Sequence, residues 1–235
     1  MEITELQQLI DQAQKIVFLT GAGVSTASGI PDYRSKNGLY TNSQQDKPAE
    51  YYLSHECLVN EPEVFYEYLK TNLYYPDAKP NVIHERQAEL TRQGKATVIT
   101  QNIDGLYCQA QTENLLEFHG NLTEVYCQKC GQSVSFDQYL NSRFHETCGG
   151  ELRPNVVLYG EGLDEQVVAD SVAAMQAADL VVIVGTSMRV YPFAGLLDFQ
   201  RSAPVVAINA EPLNLGSNVQ MMVSDAVEVF NELRV

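Results

Sequence analysis

Four short apolar runs recur along the chain and constrain its fold more than any other feature. They lie at Ile16–Thr20, Ala96–Thr100, Leu180–Val184 and Val205–Asn209. Apolar residues in these runs scarcely alternate with polar ones, which is typical of strands buried on both faces of a parallel sheet. Helical patterns separate the runs; one opens at Pro80-Asn81 and another is capped by Asp164. The sequence therefore predicts an α/β fold, a Rossmann-like parallel sheet with helices on both faces.

Two segments interrupt this pattern and are interpreted as insertions into one nucleotide-binding core. Residues 35–80 are rich in Tyr, Asn, Gln and Pro and contain a helical pattern from Glu61 through Lys70, with Pro62 in its first turn. Residues 121–154 carry three of the five cysteines. We therefore predict a Rossmann-like domain built from residues 1–34, 81–120 and 155–235. A cofactor loop and helical module would occupy 35–80, and a small metal-binding module 121–154.

Composition excludes several classes of protein. The 235 residues are 45% hydrophobic and 19% charged, which suits one large folded domain with an insertion. No apolar run approaches the length of a membrane span, and the acidic N-terminus lacks the basic region of a signal peptide. A formal net charge of −15 argues against a nucleic-acid partner, which needs basic patches. The odd cysteine count indicates a reducing compartment, and we expect a cytoplasmic monomer that binds no membrane.

The stretch GAGVSTASGIPDYR, from Gly21 to Arg34, follows the first apolar run. A glycine turn lets the backbone approach a pyrophosphate closely and offers its N–H groups. A hydride-transfer Rossmann site, however, continues as a long helix and places an acid about 20 residues further on. Gly29 and Pro31 stop any helix here, and the later region is polar loop. Spacing alone leaves two interpretations open: a nucleotide site whose loop closes over the reactive end, or a tight structural turn.

Polar residues also follow the other apolar runs. TQNIDGLY presents Gln101, Asn102 and Asp104 after the second run, and GTSMRVYP begins directly after the third. His119 follows a shorter run, Leu115–Phe118. Because open α/β sheets bind ligands at the carboxyl ends of their strands, we expect these residues to surround one site. Amides, hydroxyls and a carboxylate suit ribose hydroxyls and a carboxamide.

Six stretches, in this order, resemble the sirtuin family of NAD-dependent protein deacylases: GAGVSTASGIPDYR, TQNID, HG, CQKC, CGGELRPNVVLYGE and GTS. The resemblance covers roughly Leu6 to Val229. It implies that NAD is cleaved as a co-substrate and carries no hydride. It also implies acylated-lysine proteins or peptides as partners, and nicotinamide and O-acyl-ADP-ribose as products.

The resemblance implies the residues that contact NAD. Ala22, Thr26 and Arg34 would contact the phosphates and the nearby ribose. Tyr33 stands where the family usually has Phe, which adds a hydroxyl to the nicotinamide pocket. The full set expected to bind NAD is Gly21, Ala22, Gly23, Thr26, Asp32, Tyr33, Arg34, Gln101, Asn102, Ile103, Asp104, His119, Gly185, Thr186, Ser187, Asn209, Asp225 and Ala226.

The resemblance also implies the catalytic roles. The acyl-lysine amide oxygen attacks C1′ of the nicotinamide ribose, and His119 then acts as general base on a ribose hydroxyl. An unperturbed histidine pKa of about 6.5 suits that task. Asn102 would order the ribose and a water, whereas His55 and His84 lack such a context and are interpreted as packing or surface residues. Two alternatives are a mono-ADP-ribosyltransferase on the same fold and a non-catalytic NAD-binding module. Asn102, His119 and the VVLYGE stretch favour deacylation.

Substrate contacts are implied in the same way. Val157, Leu158 and Gly160 would line the acyl-lysine tunnel, and Val190 would approach from the other side. Family members that remove acidic acyl groups carry a Tyr and an Arg three positions apart on one helix face. Tyr66 matches the first position, but Leu69 stands where the Arg would be. Because an unpaired buried carboxylate is costly, we expect acetyl and longer aliphatic groups to be preferred over succinyl and malonyl. The alternative is that Leu69 merely packs in the insertion.

The cysteine cluster predicts a structural zinc ion. Cys127-x2-Cys130 has the spacing of tetrahedral zinc sites. The family completes this site with a second Cys-x2-Cys pair, whose first position is His145 here and whose second is Cys148. The sequence therefore predicts a Cys3His site formed by Cys127, Cys130, His145 and Cys148. The alternative is a metal-free loop held by packing.

Overall fold

The computed structural model describes residues 1–33, 38–39 and 46–235. Strands in this part of the chain are β1 (Ile16–Thr20), β2 (Ala96–Thr100), β3 (Leu115–Glu117), β4 (Gly120–Cys127), β5 (Ser133–Val134), β6 (Leu152–Val156), β7 (Leu180–Val184), β8 (Val205–Asn209) and β9 (Val219–Val223). Helices are α1 (Ile3–Gln12), α2 (Ala49–Tyr52), α3 (His55–Asn60), α4 (Pro62–Asn72), α5 (Val82–Arg92), α6 (Leu106–Gln109), α7 (Phe136–Asn141), α8 (Glu165–Ala177) and α9 (Ala226–Glu232), together with short 3₁₀ turns.

Six strands form one parallel sheet in the order β3-β2-β1-β7-β8-β9. The four apolar runs are its four central strands, with the predicted bounds, so the predicted α/β class is confirmed. Alternate residues of β1 face opposite layers. Ile16 and Phe18 pack with α1, α5 and α9, whereas Val17 and Leu19 pack with α8 and the 3₁₀ segment Phe193–Phe199. Burial on both faces is the reason why these strands show no polar alternation.

The helices begin where their sequences provide caps. Asp164 Oδ1 accepts hydrogen bonds from the N–H groups of Gln166 (2.9 Å) and Val167 (3.0 Å) at the start of α8. Asn81 Oδ1 accepts from the Ile83 N–H (3.0 Å) at the start of α5. Each cap satisfies N–H groups that have no partner within the helix. No helix among the described residues is both long and apolar enough to cross a membrane.

The two insertions pack against each other. β5, β4 and β6 form a three-stranded antiparallel sheet. One hydrophobic cluster joins residues of α3 and α4 with residues of this sheet and α7. The segments predicted as separate modules at 35–80 and 121–154 therefore share a core. The domain boundaries given above stay a prediction.

Candidate active site

A cleft of about 860 Å³ lies at the carboxyl edge of the large sheet, where β1, β2, β7 and β8 end. This volume is within the range of small-molecule and cofactor sites. Strand order reverses between β1 and β7, and such a switch point is where open α/β sheets bind ligands. The predicted NAD-contact residues that line it are Gly21, Ala22, Gly23, Thr26, Asp32, Tyr33, Gln101, Asn102, Ile103, His119, Gly185, Thr186, Ser187, Asn209, Asp225 and Ala226. Arg34 lies outside the described residues.

The loop after β1 packs directly against the loop after β7, and this contact requires glycine in both loops. The Gly23 N–H donates to the Gly185 carbonyl (2.8 Å). A Cβ at Gly23 would lie 2.7 Å from that carbonyl oxygen, and one at Gly21 would lie 2.7 Å from Thr186 Cβ. Gly185 adopts a positive φ of 59°. Spacing leaves two interpretations of the first two glycines open, the approach of a pyrophosphate and a tight structural turn. The structure shows that loop packing requires them whichever ligand binds.

Side-chain hydrogen bonds connect the loops that follow the strands around the cleft. Asn102 Nδ2 donates to the Gly21 carbonyl and to Ser25 Oγ, both at 3.1 Å. Ser25 Oγ donates to Asp104 Oδ2 (2.6 Å), and Gln101 Nε2 donates to Thr186 Oγ1 (2.7 Å). Asn102 Oδ1 accepts no hydrogen bond from any described residue, so it is available to a ligand. Ser25 was missed by the sequence analysis, although it lies within the first quoted stretch.

His119 is held at the end of β3 with a defined proton position. Its Nδ1 lies 3.2 Å from the Gln101 carbonyl oxygen. Because a carbonyl only accepts, Nδ1 carries the proton, and Nε2 is the basic nitrogen. Burial lowers the pKa of His119, and the bond to Gln101 only partly opposes this effect. The imidazole therefore stays neutral below the usual histidine range.

Asp104 lies in a second, smaller cavity of about 220 Å³, with Ile30 and Tyr75, and does not line the main cleft. Its Oδ1 also accepts from the Leu106 N–H (2.9 Å). Burial raises the pKa of Asp104, and its hydrogen bonds lower it less. Tyr33 lines the main cleft, and burial, followed by the charge of Asp104, raises the pKa of its phenol. The hydroxyl of Tyr33, which the family's usual Phe lacks, therefore stays protonated and neutral at any working pH.

The predicted peptide segment runs beside the histidine. Val157, Leu158, Gly160 and Val190 all line the cleft. The Val157 N–H donates to the His119 carbonyl (2.9 Å). The Tyr159 N–H donates to the Leu53 carbonyl, also at 2.9 Å. Leu53, Tyr159, Glu161, Arg189 and Tyr191 line the cleft as well and were not predicted. Tyr159 and Glu161 lie within a quoted stretch, whereas Leu53 carried no signal in the sequence.

The structure contradicts the expected position of Tyr66 and Leu69. The Tyr66 hydroxyl donates to the carbonyls of Tyr139 (2.8 Å) and Leu140 (3.0 Å) in the small module. Leu69 is fully buried in the shared core of the insertions, and neither residue lines the cleft. Spacing places both on one helix face, but packing turned that face toward α7. The alternative interpretation of Leu69, as a packing residue, fits its surroundings.

The four predicted metal ligands converge in the small module. The ligand atoms of Cys127, Cys130, His145 and Cys148 all lie within 4.8 Å of one another. His145 Nδ1 is 3.3 Å from the sulfurs of both Cys130 and Cys148, and Cys127 Sγ is 3.5 Å from Cys148 Sγ. Tetrahedral zinc with bonds of about 2.0–2.3 Å requires edges only slightly longer than these. A Cβ at Gly150 would lie 2.7 Å from Cys127 Sγ, so this turn requires glycine. The residues present fit a structural zinc ion bound by three cysteines and one histidine.

The fold and site together define a Rossmann-like α/β protein with a cleft at the carboxyl edge of its sheet, a histidine that lines the cleft, and a small module with a Cys3His cluster. The Sir2 family model matches residues 21–192. An NAD-dependent protein deacetylase of Lactiplantibacillus plantarum is 59% identical, over 100% of this chain and 99% of its own. One from Listeria monocytogenes serotype 4b is 51% identical, over 98% and 100%. The chain belongs to the Sir2 family.

Solved structures agree with this assignment. A Sir2 complex with a p53 peptide and NAD⁺ is 30% identical, with a TM-score of 0.85, and the match covers 98% of this chain and 96% of the other. A Sir2 variant with a deacetylated p53 peptide and 3′-O-acetyl ADP ribose has a TM-score of 0.88 at 30% identity, with the same coverage.

Proposed function

We propose that the cleft binds NAD and an acylated lysine side by side, with His119 as the general base. The family and its curated relatives make the chain an NAD-dependent protein deacetylase. The observation that carries the assignment of His119 is the bond from its Nδ1 to the Gln101 carbonyl, beside the cleft (3.2 Å).

His119 accepts a proton from a ribose hydroxyl at Nε2. Gln101 fixes the tautomer, and the neutral form is maintained by burial. Asn102 offers its unpaired Oδ1 to the ribose or to a water, while its Nδ2 is bound to Gly21 and Ser25. A neutral amide is a poor nucleophile, so positioning is the main contribution required of such a site.

The backbone of the segment Val157–Gly160 offers two free groups to a peptide. The N–H groups of Val157, Leu158 and Tyr159 already donate to protein acceptors. The Val157 carbonyl and the Gly160 N–H have no such partner in the part of the chain that the structure describes. These two groups are the ones we assign to the acyl-lysine N–H and to the peptide backbone.

His119→Ala is expected to lower kcat for an acetyl-lysine peptide by at least 100-fold, because general-base catalysis contributes about 10²–10⁴-fold. NAD binding, measured by calorimetry, should stay within about threefold. Mass spectrometry of the peptide product separates the alternatives, since a transferase adds ADP-ribose and a binding module leaves the peptide unchanged. Wild-type kcat in the variant would exclude this role for His119.

We further infer that the enzyme prefers uncharged aliphatic acyl groups, because the side chains that line the cleft are largely apolar. Leu53, Ile103, Val156, Leu158 and Val190 provide apolar surface. Arg189 is the one Lys or Arg among the described lining residues. We expect kcat/KM for acetyl and propionyl peptides to exceed that for a matched succinyl peptide by more than tenfold. A preferred succinyl peptide would contradict this inference, and Arg189→Gln would then test whether Arg189 pairs with its carboxylate.

The protein is also proposed to act as a cytoplasmic monomer without a nucleic-acid partner. The net charge of −15 supports the second point, because nucleic-acid binding depends on basic surface. Light scattering of the purified chain tests the first. A dimer that persists at micromolar concentration would contradict it.

A further inference from the structure

A buried ion pair lies behind the proposed peptide segment. Arg153, on β6, is only 8% exposed. Its Nη1 donates to Glu161 Oε1 (2.8 Å), and its Nη2 donates to Glu161 Oε2 (3.0 Å). The same Nη2 donates to the Val156 carbonyl (2.8 Å). Arg153 therefore joins the residue before the segment to the residue after it.

The Glu161 carboxylate also contacts the segment itself and the helical insertion. Its Oε2 accepts from the Leu158 N–H (3.0 Å), and its Oε1 lies 3.0 Å from His55 Nδ1. His55 is the first residue of α3, and its backbone N–H donates to the Tyr159 carbonyl (2.9 Å). The insertion thus contacts the segment through both backbone and side chain.

Charge and burial indicate positioning as the role of this pair. Burial alone would raise the pKa of Glu161, but hydrogen bonds from Arg153, His55 and the Leu158 amide outweigh burial and hold the pKa at about 2. The carboxylate is therefore ionised wherever the enzyme works. Such a pair adds little net stability, because desolvation offsets the attraction between the charges. Its directional bonds, in contrast, fix the path of the backbone.

We propose that Arg153, Glu161 and His55 form a clamp that positions the segment Val157–Gly160 for the substrate peptide. The proposal rests on the assignment of this segment to the peptide under the proposed function. On its other side the segment is bound to His119 through the Val157 N–H. Among the described residues, the side-chain hydrogen bonds and ion pairs of the clamp reach neither Gly21–Gly23 nor Thr186. We therefore assign its members as positioning residues that act on peptide binding and not on NAD binding.

Glu161→Gln tests the clamp without removing side-chain volume. Gln keeps an acceptor oxygen for the Leu158 N–H but loses the charge. Loss of the charge weakens the hydrogen bonds that Arg153 and His55 donate to residue 161, so we expect KM for an acetyl-lysine peptide to rise about tenfold. KM for NAD and kcat should change by less than about twofold. A general loss of stability would not produce this split.

His55 provides a variant with little risk to folding, because its side chain is 55% exposed. His55→Ala is expected to raise the peptide KM roughly two- to fivefold, as befits an exposed charged contact. His55→Asn should restore the wild-type value, since Asn Nδ2 can donate in place of Nδ1. In the Glu161→Gln background, His55→Ala should have little further effect, because both substitutions remove the same contact.

Two further variants complete the experiment. Glu151→Gln removes a more exposed ion pair of the same module, with Arg143, that does not line the cleft, and it should change neither KM. Val157→Asp places a charge directly in the segment and should raise the peptide KM if the segment receives the peptide. Thermal unfolding and NAD binding are measured for every variant.

The outcomes separate the clamp from the assignment on which it rests. If Val157→Asp raises the peptide KM while Glu161→Gln and His55→Ala leave it unchanged, the clamp is refuted and the segment assignment stands. If Val157→Asp also has no effect, the assignment fails and the clamp fails with it. An equal rise of both KM values in the clamp variants would show a merely structural role and would refute the proposal. If Glu161→Gln does not fold, His55→Ala and its Asn rescue decide alone.

Discussion

At the scale of single residues, the proposed role of His119 as general base depends on the protonation of its imidazole. A general base works when it is neutral, and burial lowers the pKa of His119 below its ordinary value of 6.5. The rate of the chemical step should therefore fall with decreasing pH, with a midpoint below 6.5. Single-turnover rates across pH 5–8, with peptide and NAD saturating, measure this limb. A midpoint at or above 6.5 would contradict the burial argument.

At the scale of elements, we expect the zinc ligands to stabilise the whole small module and, through β6, the proposed peptide segment. Leu152 of β6 pairs with Cys127 of β4, and β6 leads into the proposed peptide segment. α7 packs in a core shared with α4. His145→Ala should lower zinc well below one per chain and expose the small module to proteolysis. Peptide binding should weaken while NAD binding persists, because the large sheet has separate cores.

His145→Cys is the matched variant, since it restores the second Cys-x2-Cys pair of the family. It should bind one zinc per chain, measured by metal analysis alongside thermal unfolding. A zinc-free wild-type protein with full stability would instead favour the metal-free alternative.

At the scale of the whole molecule, one buried histidine makes the free energy of unfolding depend on pH. His84, on α5, is fully buried against the ring of Tyr107. Its Nδ1 accepts from the Asn81 N–H (3.3 Å), and its Nε2 has no partner among the described residues. Burial lowers its pKa to about 4. Because the unfolded chain binds this proton near pH 6.5, the stabilisation is complete above that pH and is lost as the pH falls toward 4.

Unfolding in urea should therefore show a loss of about 2 kcal/mol from His84 between pH 7 and pH 5. His84→Asn removes the titration and keeps an acceptor near the Asn81 N–H. The variant should lose correspondingly less stability over this interval. Equal losses in the two proteins would mean that another group controls acid unfolding.

The sequence by itself determined the strands that could be buried on both faces, the helix caps and the metal ligands. β1, β2, β7 and β8 were recognisable because uninterrupted apolar runs have few other uses, whereas the edge strand β9, half exposed and containing Gln220, gave no such signal. Asp164 caps α8 through bonds to its own neighbours, so local spacing was sufficient. The spacing of Cys127 and Cys130 likewise predicted two metal ligands from local sequence alone.

Only the tertiary structure decided which faces and which distant groups meet. Helical spacing placed Tyr66 and Leu69 together, but the packing of α4 on the small module turned them away from the cleft. Gly23 meets Gly185 across 162 positions of sequence, and no local pattern reports such a contact. The clamp of Arg153 and Glu161 with His55 likewise joins two insertions. Local sequence fixes periods, caps and ligand spacing, whereas contacts between remote segments depend on how whole faces pack.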